Sequence, residues 1–516
     1  MQDDIVPKRQ LMLVGIAVFL TGILLIVKPT YSIYQVNKTI NIMDAKVGNF
    51  GGCKTLSVVA GDITVDYCQN MIPVAYDSSG QTVKADKTNT DSAYYWFDYC
   101  QKTSGGLYGY KASGCTFRWA NVVLVSDTNR STYKSASPGT LIPESEILAY
   151  LVYVPRYKYE LFNANDGITP EQTINIVFEN KTTTPSCGGN TCTQNRIYST
   201  GTNGQFLTHP AFTFGTTELN GLWVGKFETS VESDISNIYD TAFIQIKPNK
   251  DSDTSGLWSS WNYVLVPVAQ MFTFSQYFKS SQFYGITDST IDAHMMKNME
   301  WGATAYLSQS IYGKRGNQGT EVWINNYWTS SYSTLTGCSG TSADASSVTS
   351  CTYPFPNANG VEASTTGSLY GIYDMSGGNW EYVMGNMVAN GQSAPGPISS
   401  SESGFDGSTY PYPASKYYDS FNYGDSYFSY TDYTRGYLGD ATKEVVSKTS
   451  FSGYYGNLWN QNSGEFVADV FVPYSWFTRG ECAECVYQDA KAGIFAFSPW
   501  DGYSYGLSFR LTLTFE

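Results

Sequence analysis

The stretch "GIYDMSGGNWEYVMGNM", Gly371 to Met387, constrains the fold more than any other part of the chain. Two adjacent glycines, Gly377 and Gly378, permit a tight turn through positive φ, where a side chain would be strained. After that turn, Trp380 is expected to drop into a core beside Asp374 and Glu381. One short span thus combines a strand-like run, a turn and an aromatic anchor flanked by carboxylates. It is a folding device before it is a site.

A second stretch bears on compartment. From Leu11 to Val27 the chain reads "LMLVGIAVFLTGILLIV", uncharged, with Lys8 and Arg9 before it and Lys28 and Pro29 after it. A bilayer needs roughly 20 apolar residues to span it, so residues 11–28 are expected to form a single transmembrane anchor. A cleaved signal peptide has a similar basic start and apolar centre, but bulky residues follow Val27 where a small-residue cleavage site would stand. The positive-inside rule keeps residues 1–10 as a cytoplasmic tail and places the rest outside the cell.

The ten cysteines agree with an oxidising exterior. They fall in near pairs: Cys53 with Cys68, Cys100 with Cys115, Cys187 with Cys192, Cys338 with Cys351, and Cys482 with Cys485. Pairing between neighbours is the simplest connectivity, although spacing alone does not fix it. Residues 29–125 read as a stalk and a small cysteine-containing β region, with alternation in "TLSVVAGDITVDYC". Residues 126–146, polar and Pro/Gly-bearing, read as a linker. A large domain is expected over 147–516. Its strands include "ILAYLVYVPRYKYELF" and "GLWVGKFETSV", with a short helix in "PVAQMFTFSQYF". A second helix is expected in "STIDAHMMKNMEWGATAYLSQSIYG", capped at Ser289 or Thr290, with Met295, Met299, Ala303, Tyr306 and Leu307 at helical spacing. The fold class is α+β, rich in loops.

Composition excludes several functions. A net charge of -14 argues against nucleic acid as a partner, whose footprint is basic. Only His209 and His294 are present, which removes any zinc site built on several histidines and leaves a Ser-His-Asp triad just those two. Both are read as structural or surface residues. "DSDTSG", Asp251 to Gly256, opens like a calcium loop, but Asn262 stands where an EF-hand needs a bidentate Glu. No phosphate-binding glycine pattern occurs in strand-turn-helix context. Cys482 and Cys485 form a lone C-x-x-C, a weak redox or metal signal.

The opening motif resembles the "G-L-Y-D-M-x-G-N-V-W-E-W" signature of the formylglycine-generating enzyme (sulfatase-modifying factor) family. It keeps Gly371, Tyr373, Asp374, Met375, Gly377, Trp380 and Glu381, with Gly378 and Asn379 where the family has Asn and Val. "WVGKFETS", "HMMKNMEWGATAYL", "WFTRG" and "LSFRLTLTF" resemble further family segments in the same order. The resemblance covers roughly Ile147 to Glu516 and implies a C-type lectin-like fold. Copper-binding members of the family carry two cysteines separated by four residues; here Cys482 and Cys485 are separated by two, and Glu481 replaces a glycine.

The C-terminal end is more similar to the variable proteins of diversity-generating retroelements, which present a hypervariable ligand-binding patch on this fold. Trp476, Phe477, Arg479, Gly480, Ala492, Gly493, Phe495, Phe497, Ser508, Phe509 and Arg510 match their framework. By that resemblance the ligand-binding residues are Cys482, Glu484, Tyr487, Gln488, Asp489, Ser498, Trp500, Asp501, Tyr503 and Tyr505. Asp374, Gly377, Trp380, Glu381, Arg479, Gly480, Phe509 and Arg510 form the scaffold. The expected function is adhesion or recognition of a protein or glycan at the cell surface, without catalytic residues or a required cofactor, calcium being compatible. The alternative is a copper-dependent oxidase of the formylglycine-generating type using Cys482 and Cys485.

Overall fold

The computed structural model describes residues 53–100, 116–165, 170–193, 196–231, 244–250, 257–259, 262–264, 266–280, 283–314, 335–339, 351–389, 403–423, 436–445, 476–480, 493–499 and 507–516. The class is α+β, as the sequence predicts. A seven-stranded antiparallel sheet forms its centre. Its order is β17 (Ile291–Met295), β25 (Leu511–Phe515), β12 (Gly221–Gly225), β6 (Ile147–Pro155), β5 (Asn121–Val125), β3 (Ile72–Tyr76) and β4 (Thr82–Lys84). β5 and β6, "NVVLV" and "ILAYLVYVP", are near-continuous apolar runs, the pattern of strands covered on both faces.

Side-chain alternation assigns the two coverings. On one face, Tyr153 of β6 lies opposite Trp223 of β12, with ring centroids 4.9 Å apart. A hairpin of β1 (Thr55–Ala60) and β2 (Ile63–Cys68) covers them, accepting Trp223 Nε1–H at Asp66 O (2.7 Å) and the Tyr153 hydroxyl at Thr64 O (2.8 Å). On the other face, Tyr150 meets Phe227 and Phe355 edge-on. The stretch read as a small cysteine-containing β region therefore supplies β3, β4 and β5 to the same sheet as the larger domain. The stretch read as a linker holds helix α1 (Asp127–Ser135), whose Tyr133 is buried and donates to Glu146 Oε2.

A second sheet is organised around β20 (Trp380–Ala389). β22 (Trp476–Gly480) pairs antiparallel along one side and is followed by β23 (Gly493–Pro499). On its other side lie β24 (Leu507–Phe509) and β21 (Asp419–Tyr423), both parallel to it. A three-stranded sheet joins β8 (Ile176–Phe178), β7 (Tyr157–Glu160) and β9 (Phe206–Thr208). Four short ribbons complete the described strands: β10 (Thr213–Phe214) with β11 (Thr217–Glu218), β13 (Ser230–Val231) with β14 (Ile244–Gln245), β15 (Leu257–Ser259) with β16 (Asn262–Val264), and β18 (Cys338–Ser339) with β19 (Tyr353–Pro354).

Helix α2 (Val268–Ser280) matches the expected short helix. The Met-rich helix differs: α3 spans Asn298–Ser308, and the residues before it form β17. Ile291–Met295 pairs with Leu511–Phe515 along its full length, and that ladder outweighs the local helical spacing. The helix starts where Glu300 Oε2 accepts the Lys297 N–H (2.9 Å) and Asp419 Oδ2 accepts the Met299 N–H (2.8 Å), which satisfies amides that the first turn leaves open. His294 consequently sits on a strand, not on the helix. Disulfides join Cys53 to Cys68, Cys187 to Cys192 and Cys338 to Cys351, and Cys100 is also disulfide-bonded. Among the described residues no helix is long and apolar enough to cross a membrane; the expected anchor at 11–28 lies outside them.

Candidate functional site

The start of β20 is where the quoted motifs meet. Gly377 (φ 101°) and Gly378 (φ 85°) turn the chain into the strand, as predicted. A Cβ on Gly378 would sit 2.3 Å from Glu228 Oε1, the atom that accepts the Asn379 N–H at 3.0 Å. Glu381 then pairs with Arg479 on β22 and with Ser508 on β24, while Trp380 lies beside Leu507. Segments about a hundred residues apart in sequence thus become adjacent strands. Trp380 is half-buried rather than in the core, because it is the first residue of its strand; Trp301 and Trp476 take the fully buried positions.

Arg510 is the central tie. Its guanidinium donates to both carboxylate oxygens of Glu381, through Nε at 2.8 Å and through Nη2, and also to Gly225 O (2.8 Å) and Tyr373 O (3.0 Å). One side chain thereby joins β12, the motif and β20, with both charged partners fully buried. Burial pushes the Glu381 carboxyl up, and Arg510 opposes that shift. Asp374 adopts φ 69°, strained for a residue with a Cβ, and accepts the Gly337 N–H on Oδ2 (2.7 Å). Burial pushes Asp374 up to about 7, against the Gly337 hydrogen bond and Arg510.

Lys226, which the sequence analysis passed over, supports the motif from beneath. Its backbone carbonyl accepts the Tyr373 N–H (2.8 Å). Its ammonium donates to Asn121 Oδ1 (2.9 Å), Leu369 O (2.7 Å) and Gly371 O (2.9 Å), inside a cage of Tyr76, Phe355 and Tyr373 rings at 5.1 to 5.3 Å. Burial lowers its pKa, while three oxygens and three ring faces favour the charged form.

Arg479 braces the β22–β23 hairpin. It lies over the Trp301 ring at 5.6 Å and donates to Asn298 Oδ1 (3.3 Å), Ala441 O (3.3 Å) and Ile494 O (3.5 Å). Trp301 Nε1–H donates to the same Ile494 carbonyl at 2.7 Å. Gly480 (φ 87°) pairs with Gly493, and a Cβ on Gly480 would lie 3.3 Å from the Trp301 ring. Trp301 and Asn298 were not singled out in sequence; the "MEW" start of the helix was their only signal.

All eight scaffold candidates, Asp374, Gly377, Trp380, Glu381, Arg479, Gly480, Phe509 and Arg510, lie on or beside this sheet. Of the ligand-binding candidates, Ser498 is placed opposite Thr478 in β23. Cys482, Glu484, Tyr487, Gln488 and Asp489 fall in segment 481–492, and Trp500, Asp501, Tyr503 and Tyr505 in segment 500–506, outside the described residues; so does Cys485. The first segment joins β22 to β23, and the second joins β23 to β24. Among the described residues no group of three or more His, Cys, Asp or Glu side chains could hold a metal ion.

The two histidines are both built into the core. His294 lies between Asp292 Oδ1 (3.1 Å) and Glu300 Oε1 (3.0 Å), stacked on Phe214. Burial alone would lower its pKa, but the two carboxylates raise it to about 9. His209 Nδ1 accepts the Ala211 N–H and Nε2 contacts Gly439 O at 2.9 Å, which assigns the proton to Nε2; burial lowers it to about 3. Compared with known proteins, the chain matches no family model and no curated protein.

Proposed function

We propose that this protein is a membrane-anchored, outward-facing recognition protein that presents a surface for a protein or glycan ligand on a C-type lectin-like scaffold. Residues 11–28 supply the anchor, and the surface is built from segments 481–492 and 500–506. The observation that carries this reading is the convergence of the framework on β20. Arg479, Gly480, Phe509 and Arg510, which border the candidate segments, are tied to Tyr373, Glu381 and Tyr382 of the motif, directly or through neighbouring strands. A braced sheet from which aromatic and polar segments depart suits recognition, because tyrosine and tryptophan give contact area with little rotamer entropy to lose. Nothing in the framework itself requires catalysis, and a fold alone does not assign one.

The test uses the full-length protein and the variants Trp500→Ala, Tyr503→Ala, Tyr505→Ala and Tyr487→Ala. Binding to a glycan array and to intact cells is expected to fall at least tenfold in one or more variants whose near-ultraviolet circular dichroism is unchanged. Unchanged binding by all four, with the fold intact, rejects the surface. Sequencing codons 474 to 509 against codons 367 to 387 across a population tests diversification separately. Copper-dependent oxygen consumption with a cysteine peptide, abolished by Cys482→Ser or Cys485→Ser, would establish the oxidase instead.

A further inference from the structure

Residues 436–445 have no regular helix or strand, yet everything from Leu438 to Val445 is buried. A buried irregular segment must find partners for its backbone groups. The Asp440 carboxylate takes three of its amides: Tyr437 N–H on Oδ2 (2.9 Å), and Thr442 (2.9 Å) and Lys443 (3.0 Å) on Oδ1. Outward ties run to four other parts of the fold. Leu438 N–H donates to Tyr198 O (2.8 Å), Asn163 Nδ2 donates to Glu444 O (2.9 Å), His209 Nε2 donates to Gly439 O, and Arg479 donates to Ala441 O. Gly302 on α3 lets the segment lie against the helix, since a Cβ there would meet Gly439 O at 1.9 Å.

The segment is fastened by one side chain. Glu444 Oε2 accepts from Tyr159 of β7 (2.7 Å), Tyr306 of α3 (3.0 Å) and its own segment's Gly439 N–H (3.1 Å). Its other oxygen, Oε1, is buried with no hydrogen-bond partner among the described residues. Three donors meet at one oxygen while the second has none among the described residues. That is an arrangement in which a proton on Oε1 removes a buried charge without breaking any existing bond.

We propose that residues 436–445 are a strap latched by the Glu444 carboxyl. When that carboxyl loses its proton the strap loosens, and through Ala441 on Arg479 the β22–β23 hairpin loses part of its brace. Among the described residues, the titratable groups facing Glu444 are Tyr157 and Tyr159 of β7, Tyr306 of α3 and Asp440 of the strap; with His209 neutral beside Gly439, none of these supplies a positive charge. Burial pushes Glu444 from the ordinary 4.5 up to about 7, against its three donors. A carboxyl raised on folding stabilises the closed form when protonated, and that stability is lost as pH rises through about 7. For one linked proton, opening becomes about tenfold easier between pH 6 and pH 8. The latch goes beyond the recognition reading and does not depend on any ligand.

The experiment is amide hydrogen exchange on the full-length protein at pH 6, 7 and 8, corrected for intrinsic rates and read at Leu438, Gly439 and β22. Protection is expected to fall about tenfold from pH 6 to pH 8 in the native protein. Glu444→Gln should show protection independent of pH, which also separates this group from Asp374, the other carboxyl near 7. Tyr306→Phe and Tyr159→Phe each remove a donor to the charged form and should move the midpoint upward. Protection independent of pH, or the same pH dependence in Glu444→Gln, overturns the latch. Should Glu444→Gln fail to fold, an unmoved midpoint in both tyrosine variants overturns it equally.

Discussion

Replacing Arg510 with Met removes a fully buried guanidinium and leaves Glu381 alone in the core, with Gly225 O and Tyr373 O stripped of donors. Breaking a buried ion pair from one side costs about 3–5 kcal/mol, because the remaining charge has no solvent. Each orphaned carbonyl adds about 1 kcal/mol. Arg510→Met should therefore lose about 5 kcal/mol or more, a large share of a typical folding free energy. The double variant Arg510→Met/Glu381→Leu removes both charges and keeps only the carbonyl cost, so it should lie about 3 kcal/mol above Arg510→Met. The deficit of Arg510→Met should also shrink as pH falls, since burial already pushes Glu381 toward its neutral form. Urea denaturation followed by tryptophan fluorescence, at pH 5 and pH 8, measures all three. With Glu381→Leu measured alone, losses of the two single variants that add to the double's within about 0.5 kcal/mol, or a double variant weaker than Arg510→Met, would refute the claim that this pair ties β12, the motif and β20 together.

Two other perturbations follow from the same geometry. Lys226→Met keeps the apolar stem but leaves Leu369 O and Gly371 O without that donor, while Asn121 Oδ1 keeps the Tyr76 hydroxyl; it should cost about 2 kcal/mol or more by urea denaturation, and a loss below about 1 kcal/mol would mean the cage does not hold the motif. His294, raised from 6.5 to about 9 by Glu300 and Asp292, contributes stability that is fully present below pH 6.5 and lost as pH rises through about 9. The advantage of the native protein over His294→Gln should thus shrink by about 2–3 kcal/mol between pH 6 and pH 10, and a constant difference would mean the imidazole is neutral.

What could be read in the sequence was what local chemistry determines. The paired glycines before Trp380 required positive φ and have it, and the alternation in "TLSVVAGDITVDYC" folds as the β1–β2 hairpin. Three neighbour disulfides form between cysteines whose intervening loops are short. The failures were nonlocal. Met295 and Met299 satisfy a helical spacing, but Met295 belongs to a strand whose partner comes more than 200 residues later. Residues 126–146 look like a linker because their helix is polar and buries only Tyr133. At the site, Asp374, Glu381, Arg479 and Arg510 were found because each sits in a distinctive motif. Their supports escaped notice: Lys226, Trp301 and Glu444 acquire their roles from distant elements, and nothing beside them in the chain announces it.

The position of β25 has a consequence for how the protein is made. Leu511–Phe515 lies between β12 and β17, so these two strands keep uncovered edges until the ribosome has delivered residues that come after both candidate segments. A chain that stops anywhere in 481–506 lacks Phe509, Arg510 and the strand that closes the sheet. Glu381 is then left with a buried charge, and two open edges invite aggregation. A chain that includes Arg510 and β25 keeps the Glu381 pair and covers both of those edges.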